Sequence, residues 1–167
     1  PISCQLSAEL LLRAGKAEDA LKVARKVREM CRRAANLRGE VNALLAIAWS
    51  LHMKSEGVEA KEAAKEARSI SREAKDIEGE TMALHALKDL CLSDTKDRRG
   101  GGALDAISEA LAISKNGDHP ELEALSLHAA GHVHARENES QQALQAVSEA
   151  RALYKKAGSI SGELAAL

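Results

Sequence analysis

Two histidines four residues apart are the part of this sequence that comes nearest to a reactive site. His128 and His132 have the spacing that turns both imidazoles to one side of a helix, where they could chelate zinc. No cysteine or carboxylate follows at helical spacing as a third ligand, although Glu121 and Glu123 are close in sequence. We therefore expect no metal and no other cofactor, and we interpret the pair as exposed polar side chains.

Other catalytic signatures are missing from the sequence. It has no phosphate-binding G-x-x-x-x-G-K-S/T, no H-E-x-x-H zinc motif, no G-x-S-x-G nucleophile elbow and no G-x-G-x-x-G dinucleotide motif. The three cysteines, Cys4, Cys31 and Cys91, are far apart and odd in number, which favours a reducing compartment over a disulfide scaffold. We interpret them as buried, unreactive thiols and predict that the chain is not an enzyme.

Composition indicates a soluble, all-α protein. Of the 167 residues, 45% are hydrophobic and 29% are charged, and there is one Trp, one Tyr and no Phe. Strands need more β-branched and aromatic residues, whereas Ala, Leu, Glu, Lys and Arg favour helices. The net charge of −1 gives no general attraction to nucleic acid, and no apolar run is long enough for a membrane span. Together with the cysteines, these features predict a cytoplasmic location.

An internal repeat organises the chain. A Gly-Glu or Pro-Glu pair, followed by Ala-Leu at a constant offset, recurs along the chain. The pairs are Gly39-Glu40, Gly79-Glu80, Pro120-Glu121 and Gly162-Glu163. Between these pairs, apolar residues recur at helical spacing in two runs, so each unit is a pair of amphipathic helices. The pattern predicts a single array of repeats, over 1–40, 41–80, 81–121 and 122–163, with the start of a fifth at 164–167.

The same spacing predicts where the helices lie. We expect them over 3–14, 17–36, 40–54, 57–75, 80–93, 102–115, 121–136 and 140–157, with a ninth beginning at Glu163. The first helix of the third unit fits two registers, one on Leu84 and Leu87 and one on Leu87, Leu90 and Cys91. The second helix of that unit begins three residues late relative to the second unit, after a loop over 94–102.

The second unit resembles the tetratricopeptide repeat. The residues that carry the resemblance are Leu44, Ile47, Ala48 and Leu51 on the first helix and Ala60, Ala64 and Ala67 on the second. The recurring pairs are similar to the longer repeats of kinesin light chains, spindle-orientation adaptors and certain bacterial regulators. The chain departs from the family at Ala64, where an aromatic residue is usual, and at Ser7, where an apolar one is. The resemblance covers nearly the whole chain and implies a right-handed α-α superhelical solenoid of about four helix hairpins.

In such a superhelix, the first helices of the repeats line a concave groove that binds a protein or peptide. Trp49 is the expected anchor because a Trp buries much area at little entropic cost, although packing between adjacent helices is the alternative for it. The groove residues implied are Gln5, Glu9, Arg13, Asn42, Leu45, Trp49, His52, Met53, His85, Lys88, His128, His132 and Arg136. The groove leans basic toward its C-terminal side, so we expect an acidic or amphipathic peptide, helical peptides included.

Two other functions stay open on the sequence alone. Uncapped repeat ends would expose apolar faces and stack, which would make the chain a structural or self-assembly module. The second helix of the first unit carries a basic run that could bind phosphate or RNA weakly, at Lys22, Arg25, Lys26, Arg28, Arg32, Arg33 and Arg38. This run has no aromatic residues for base stacking, so we interpret it as a solvated face and expect no nucleic-acid partner.

Overall fold

Five connections between helices of this protein share one kind of tight turn. Its central residue has φ between 51° and 64°, in the left-handed region, at Ala35, Ser55, Lys75, Asp118 and Asn138. In each turn, the amide of the following residue donates to the carbonyl five residues earlier, at 2.9–3.0 Å. This is the Schellman arrangement, which satisfies the last carbonyls of one helix. Because the next helix begins two residues after the central residue, it can pack directly against the one before it.

A computed structural model describes residues 11, 13–94 and 101–158. Within these residues there are seven helices and no strands, so the prediction of an all-α protein is confirmed. The helices are α1 (Ala17–Arg33), α2 (Leu37–Met53), α3 (Gly57–Glu73), α4 (Ile77–Ser93), α5 (Gly101–Asn116), α6 (Pro120–Arg136) and α7 (Ser140–Ala157). Helix α2 packs against both α1 and α3, and α6 packs against both α5 and α7.

The predicted helix bounds agree with these to within three residues. Helices α2 and α4 begin three residues before the predicted positions because Asn36 and Asp76 cap them. The side-chain oxygen of Asn36 accepts from the Gly39 amide at 2.9 Å, and that of Asp76 accepts from the Gly79 amide at 3.1 Å. Of the predicted helix over 3–14, residues 11 and 13 are described and helical. The rest of it, and the predicted start of a ninth helix, lie outside the described residues.

The glycines of the repeated Gly-Glu pair lie where successive helices come closest. A β-carbon on Gly39 would lie 2.6 Å from the Cys31 sulfur, and one on Gly79 would lie 2.7 Å from the Ser71 hydroxyl oxygen. Neither distance leaves room for a larger residue. The repeat in the sequence is therefore, in part, a requirement for close packing between α1 and α2 and between α3 and α4.

The glutamates of the same pairs are buried and are each held by two arginines of the preceding helix. Glu40 Oε1 lies 3.4 Å from Arg28 Nε and 3.5 Å from Arg32 Nε. Glu80 Oε1 lies 2.8 Å from Arg72 Nε and 3.8 Å from Arg68 Nε. We call these two groups the Arg–Glu clasps. Each compensates the burial of a carboxylate and ties two successive helices together.

The left-handed turn residues give the true register of the repeat. Ala35 and Lys75 lie 40 residues apart, whereas Ala35 and Asp118, and likewise Ser55 and Asn138, lie 83 residues apart. The offset of 83 relates α1, α2 and α3 to α5, α6 and α7. The delay of three residues predicted for the second helix of the third unit is therefore confirmed, and α6 carries the same delay.

One predicted alignment is wrong. In the register of the turns, Leu122-Glu123 stands in α6 where Gly79-Glu80 stands in α4, two residues after the predicted Pro120-Glu121. Burial agrees, because Leu125 is 41% exposed whereas Leu127, the counterpart of Leu84, is 8% exposed. Pro120-Glu121 looked equivalent in the sequence because its spacing from Gly79-Glu80 is closer to 40 residues than that of Leu122-Glu123.

The chain divides into two compact units, Pro1–Leu90 and Cys91–Leu167. In the N-terminal unit, ion pairs join alternate helices: Arg28 with Glu66 across α1 and α3, and Arg38 with Glu78 across α2 and α4. This unit therefore has two layers, α1 beside α3 and α2 beside α4. Burial on α4 extends over Leu84, Leu87 and Leu90, which selects the register on Leu84 and Leu87, with Cys91 only partly buried.

The C-terminal unit has its own core. Ala124 and Leu127 of α6 pack with Ala150 and Tyr154 of α7, and Leu111 of α5 packs against this cluster. Burial raises the pKa of the Tyr154 hydroxyl, and the nearby Glu121 carboxylate raises it further. The phenol is therefore un-ionised at neutral pH and acts as a packing residue.

Candidate functional site

Helices α2 and α4 share a face that the core does not use. The Arg38–Glu78 ion pair holds the two helices side by side near their N-terminal ends. Beyond it, one aromatic, two methionine and several polar side chains keep part of their surface open. We call this the α2–α4 face, and it comprises Asn42, Trp49, His52 and Met53 of α2 and Met82 and His85 of α4.

Trp49 lies in the C-terminal half of α2 on this face. It is half-buried, and its ring makes an edge contact with the His52 imidazole, with centroids 6.1 Å apart and planes at 76°. Met53 and Met82 are 47% and 42% exposed. A half-buried indole and two flexible thioethers on these helices are side chains that can fit an apolar partner of variable shape.

The two residues expected to make this face basic do not supply a free positive charge. His85 is half-buried, and burial lowers its pKa to about 4, with the Lys88 ammonium as the second cause. Its imidazole is therefore neutral at pH 7. The Lys88 ammonium lies 2.6 Å from the Asp89 carboxylate. The face is thus less basic at α4 than the sequence suggests.

The other N-terminal groove residues fall in different places. Leu45 is 7% exposed because the buried stripe of α2 is wide and includes its neighbours Leu44 and Ala48. The expectation that Leu45 lines an open groove is therefore wrong. Arg13 is exposed. Gln5 and Glu9 lie outside the described residues.

The remaining predicted groove residues lie on α6 in the C-terminal unit. The rings of His128 and His132 are 4.8 Å apart between centroids and tilted by 48°. His128 is half-buried, while His132 and Arg136 are exposed. In the described part of the chain, no three or more His, Cys, Asp or Glu side chains converge as metal ligands. The two imidazoles thus form a polar patch with at most two ligand nitrogens.

The structure also contains a pocket that the sequence did not indicate. It has a volume of about 380 Å³ and lies between α5, α6 and α7. Its apolar wall consists of Leu104, Ile107, Leu111, Leu127, Ala130 and Ala146. Gln145 and Glu149 stand at its exposed mouth, where the Gln145 amide donates to the Glu149 carboxylate at 2.9 Å. The small residue Ala130, aligned with the larger Ile47, is the one signal in the sequence that could have revealed it.

The cysteines and the helix lengths add two observations. Cys31 is buried and Cys91 half-buried, and neither forms a disulfide among the described residues, whereas Cys4 lies outside them. Among the described helices, none combines the length and the apolar character needed to cross a membrane.

Comparisons with known proteins do not place the chain in a family. No protein-family model matches the sequence. A search of curated proteins finds no match either. The similarity to the tetratricopeptide repeat therefore stays a prediction based on the spacing of Leu44, Ile47, Ala48 and Leu51 and on the residues that follow them.

Proposed function

We propose that this protein is a non-enzymatic interaction scaffold, a tetratricopeptide-like helical array that holds a peptide or protein partner. The observation that carries the proposal is the α2–α4 face, where Trp49, Met53 and Met82 keep exposed surface on two helices joined by an ion pair. Aromatic anchors and adaptable methionines are typical of surfaces that bind other proteins. In this proposal, α2, α4 and α6 are the first helices of successive repeats in a right-handed superhelix.

The partner that fits this face best is an amphipathic helix. Its apolar side would cover Trp49 and the two methionines, and its polar side would meet Asn42 and His52 at the margin. The Arg–Glu clasps keep the supporting helices in place, so little ordering of the protein would oppose binding. An acidic polar side is the first choice because the exposed Arg13 lies in the same unit.

The test uses a panel of fluorescein-labelled amphipathic helical peptides with acidic or basic polar sides and without Trp. Binding is measured by fluorescence anisotropy and, independently, by the emission of Trp49. We expect Trp49→Ala to weaken binding about tenfold or more, because a central aromatic anchor is worth about 2 kcal/mol or more. Val58→Ala is the matched control, since Val58 is 74% exposed but lies on α3, in the other layer.

Equal affinities of the Trp49→Ala and Val58→Ala proteins for every peptide that binds would contradict the proposal. Circular dichroism of each variant shows whether its helices are intact. Sedimentation equilibrium of the same proteins tests the self-assembly alternative, since an oligomer that persists in Trp49→Ala does not use the α2–α4 face.

A further inference from the structure

The pocket of the C-terminal unit can be compared residue by residue with the N-terminal unit. The offset of 83 residues that relates the turns also relates Ile47 to Ala130 and Ala24 to Ile107. The large and the small residue have therefore exchanged helices, and in the C-terminal unit both Ile107 and Ala130 line the pocket. His134 lines it as well, and its Nδ1 lies 2.6 Å from the Glu139 carboxylate.

The same comparison shows that an arginine of the N-terminal unit has no basic counterpart in the C-terminal unit. In the N-terminal unit, the Arg28 guanidinium bridges α1 and α3 by pairing with the Glu66 carboxylate. The counterpart of Glu66 is Glu149, but the counterpart of Arg28 is Leu111. Within the described residues, no cationic group lies within ion-pair distance of Glu149, whose carboxylate is contacted by the Gln145 amide.

The pocket therefore combines three features at one place. It has an apolar wall, a volume of about 380 Å³, and a carboxylate at its mouth that has no cationic partner among the described residues. Its size falls in the range of small-molecule sites, which is roughly 300–1,000 Å³. Residues 101–158 carry eight acidic and five basic side chains, so the surrounding charge also favours a cation.

We propose that this pocket binds an alkylguanidinium. The guanidinium pairs with the Glu149 carboxylate, and the alkyl chain lies against Ile107, Leu111 and Leu127. A guanidinium is preferred to an ammonium because its planar fork matches a carboxylate in two parallel hydrogen bonds and is less strongly hydrated. It is also the group that occupies the equivalent position in the N-terminal unit. This site is separate from the α2–α4 face and does not depend on the function proposed for that face.

The experiment is a titration of the ¹⁵N-labelled full chain with n-butylguanidinium, followed by amide chemical shifts. We expect saturable shifts at residues of the pocket wall, weaker binding of n-butylammonium and no binding of butanoate at the same sites. Glu149→Gln should weaken binding about threefold or more, because it removes the charge of an exposed ion pair with a favourable fork geometry. Glu59→Gln is the matched control; it removes the same charge from an exposed site on α3 and should leave the affinity unchanged.

Two further variants test whether a larger side chain or an arginine on the pocket wall prevents binding. Ala130→Ile restores the residue of the other unit and should weaken binding about tenfold or more by occupying the pocket. Leu111→Arg supplies an internal guanidinium and should abolish binding when Glu149 itself is unchanged. Because Glu149→Gln alters only an exposed side chain, it tests the proposal even if a wall variant fails to fold.

A short blocked peptide, acetyl-Leu-Arg-Leu-amide, distinguishes the two sources of the group. Tighter binding of this peptide than of n-butylguanidinium identifies an arginine side chain of a protein as the ligand, and weaker binding identifies a free small molecule. Absence of saturable shifts with both probes, equal binding of butanoate, or unchanged affinity in Glu149→Gln would overturn the proposal.

Discussion

Buried polar side chains in this protein stand where two helices must be tied together. Glu40 and Glu80 lie below the surface because arginines from the preceding helix surround each carboxylate. Ser71, which lies against Gly79, donates its hydroxyl to the Ala67 carbonyl of its own helix at 3.0 Å. These groups are satisfied locally or by the adjacent helix, so they specify the pairing of helices without leaving a buried charge uncompensated.

His85 is expected to make the stability of the fold depend on pH. Its pKa is about 4 in the folded protein and 6.5 in the unfolded chain, because burial disfavours the imidazolium. Between these values the unfolded chain binds the proton more tightly, so the free energy of unfolding falls as the pH is lowered from 6.5 to 4. The loss approaches roughly 3 kcal/mol, the limit set by the pKa difference.

Urea unfolding at pH 7.5 and pH 4.5 measures this effect. In His85→Leu, which places in α4 the residue that α2 carries at Leu45, that part of the pH dependence should disappear. His119→Ala changes an exposed imidazole and serves as the control. An unchanged pH dependence in His85→Leu would show that other groups are responsible.

At the scale of the helix and its turn, the recurring left-handed residue is the common feature. Five of these positions carry a side chain, although glycine is the residue that adopts this conformation without a steric penalty. The turn is therefore maintained by the Schellman hydrogen bonds and by the packing of the helices on both sides. A modest strain is retained at each of these connections.

Replacing Ala35 by glycine should stabilise the protein. The φ of 51° costs a residue with a β-carbon about 1–2 kcal/mol, while glycine loses about 0.5–1 kcal/mol more entropy on folding. We expect Ala35→Gly to raise the free energy of unfolding by about 0.5–1 kcal/mol in urea titrations. Ala34→Gly is the matched control, because Ala34 has a φ of −87° and this variant should instead lose stability. The same sign of change in both variants would contradict this explanation.

Across the whole molecule, one repeat pattern supports two units with different side-chain networks. The N-terminal unit has Arg–Glu clasps on both of its helix pairs. In the C-terminal unit, the counterpart glutamate is Glu123, but the residues in the two arginine positions are Leu111 and Lys115. Equivalent substitutions in the two units should therefore have different effects.

Glu80→Gln should lower the free energy of unfolding by about 1–2 kcal/mol, because it removes a buried charge-assisted contact with Arg72 and leaves the arginines without their carboxylate. Glu123→Gln should change it by no more than about 0.5 kcal/mol. Chemical unfolding of both variants under identical conditions gives the comparison. Similar losses would show that the clasp is not what distinguishes the units.

Much of the fold follows from local features of the sequence. Apolar residues recur at helical spacing, and each helix is bounded by a short turn, so the helices could be predicted to within three residues of their ends. The repeated Gly-Glu pair could be recognised, but its role could not, because the contact of Gly39 with Cys31 and the pairing of Glu40 with Arg28 join different helices.

The site was less accessible to sequence reasoning. The position of Trp49 on α2 followed from periodicity, but the burial of Leu45 and the depressed pKa of His85 depend on the helices that cover them. The register of α6 is set by the turns on either side of it, and the pocket beside Glu149 by the packing of α5, α6 and α7. Helix formation depends on residues three or four positions apart, whereas burial, ion pairing and empty volume depend on which helices meet, and that is decided by tertiary packing.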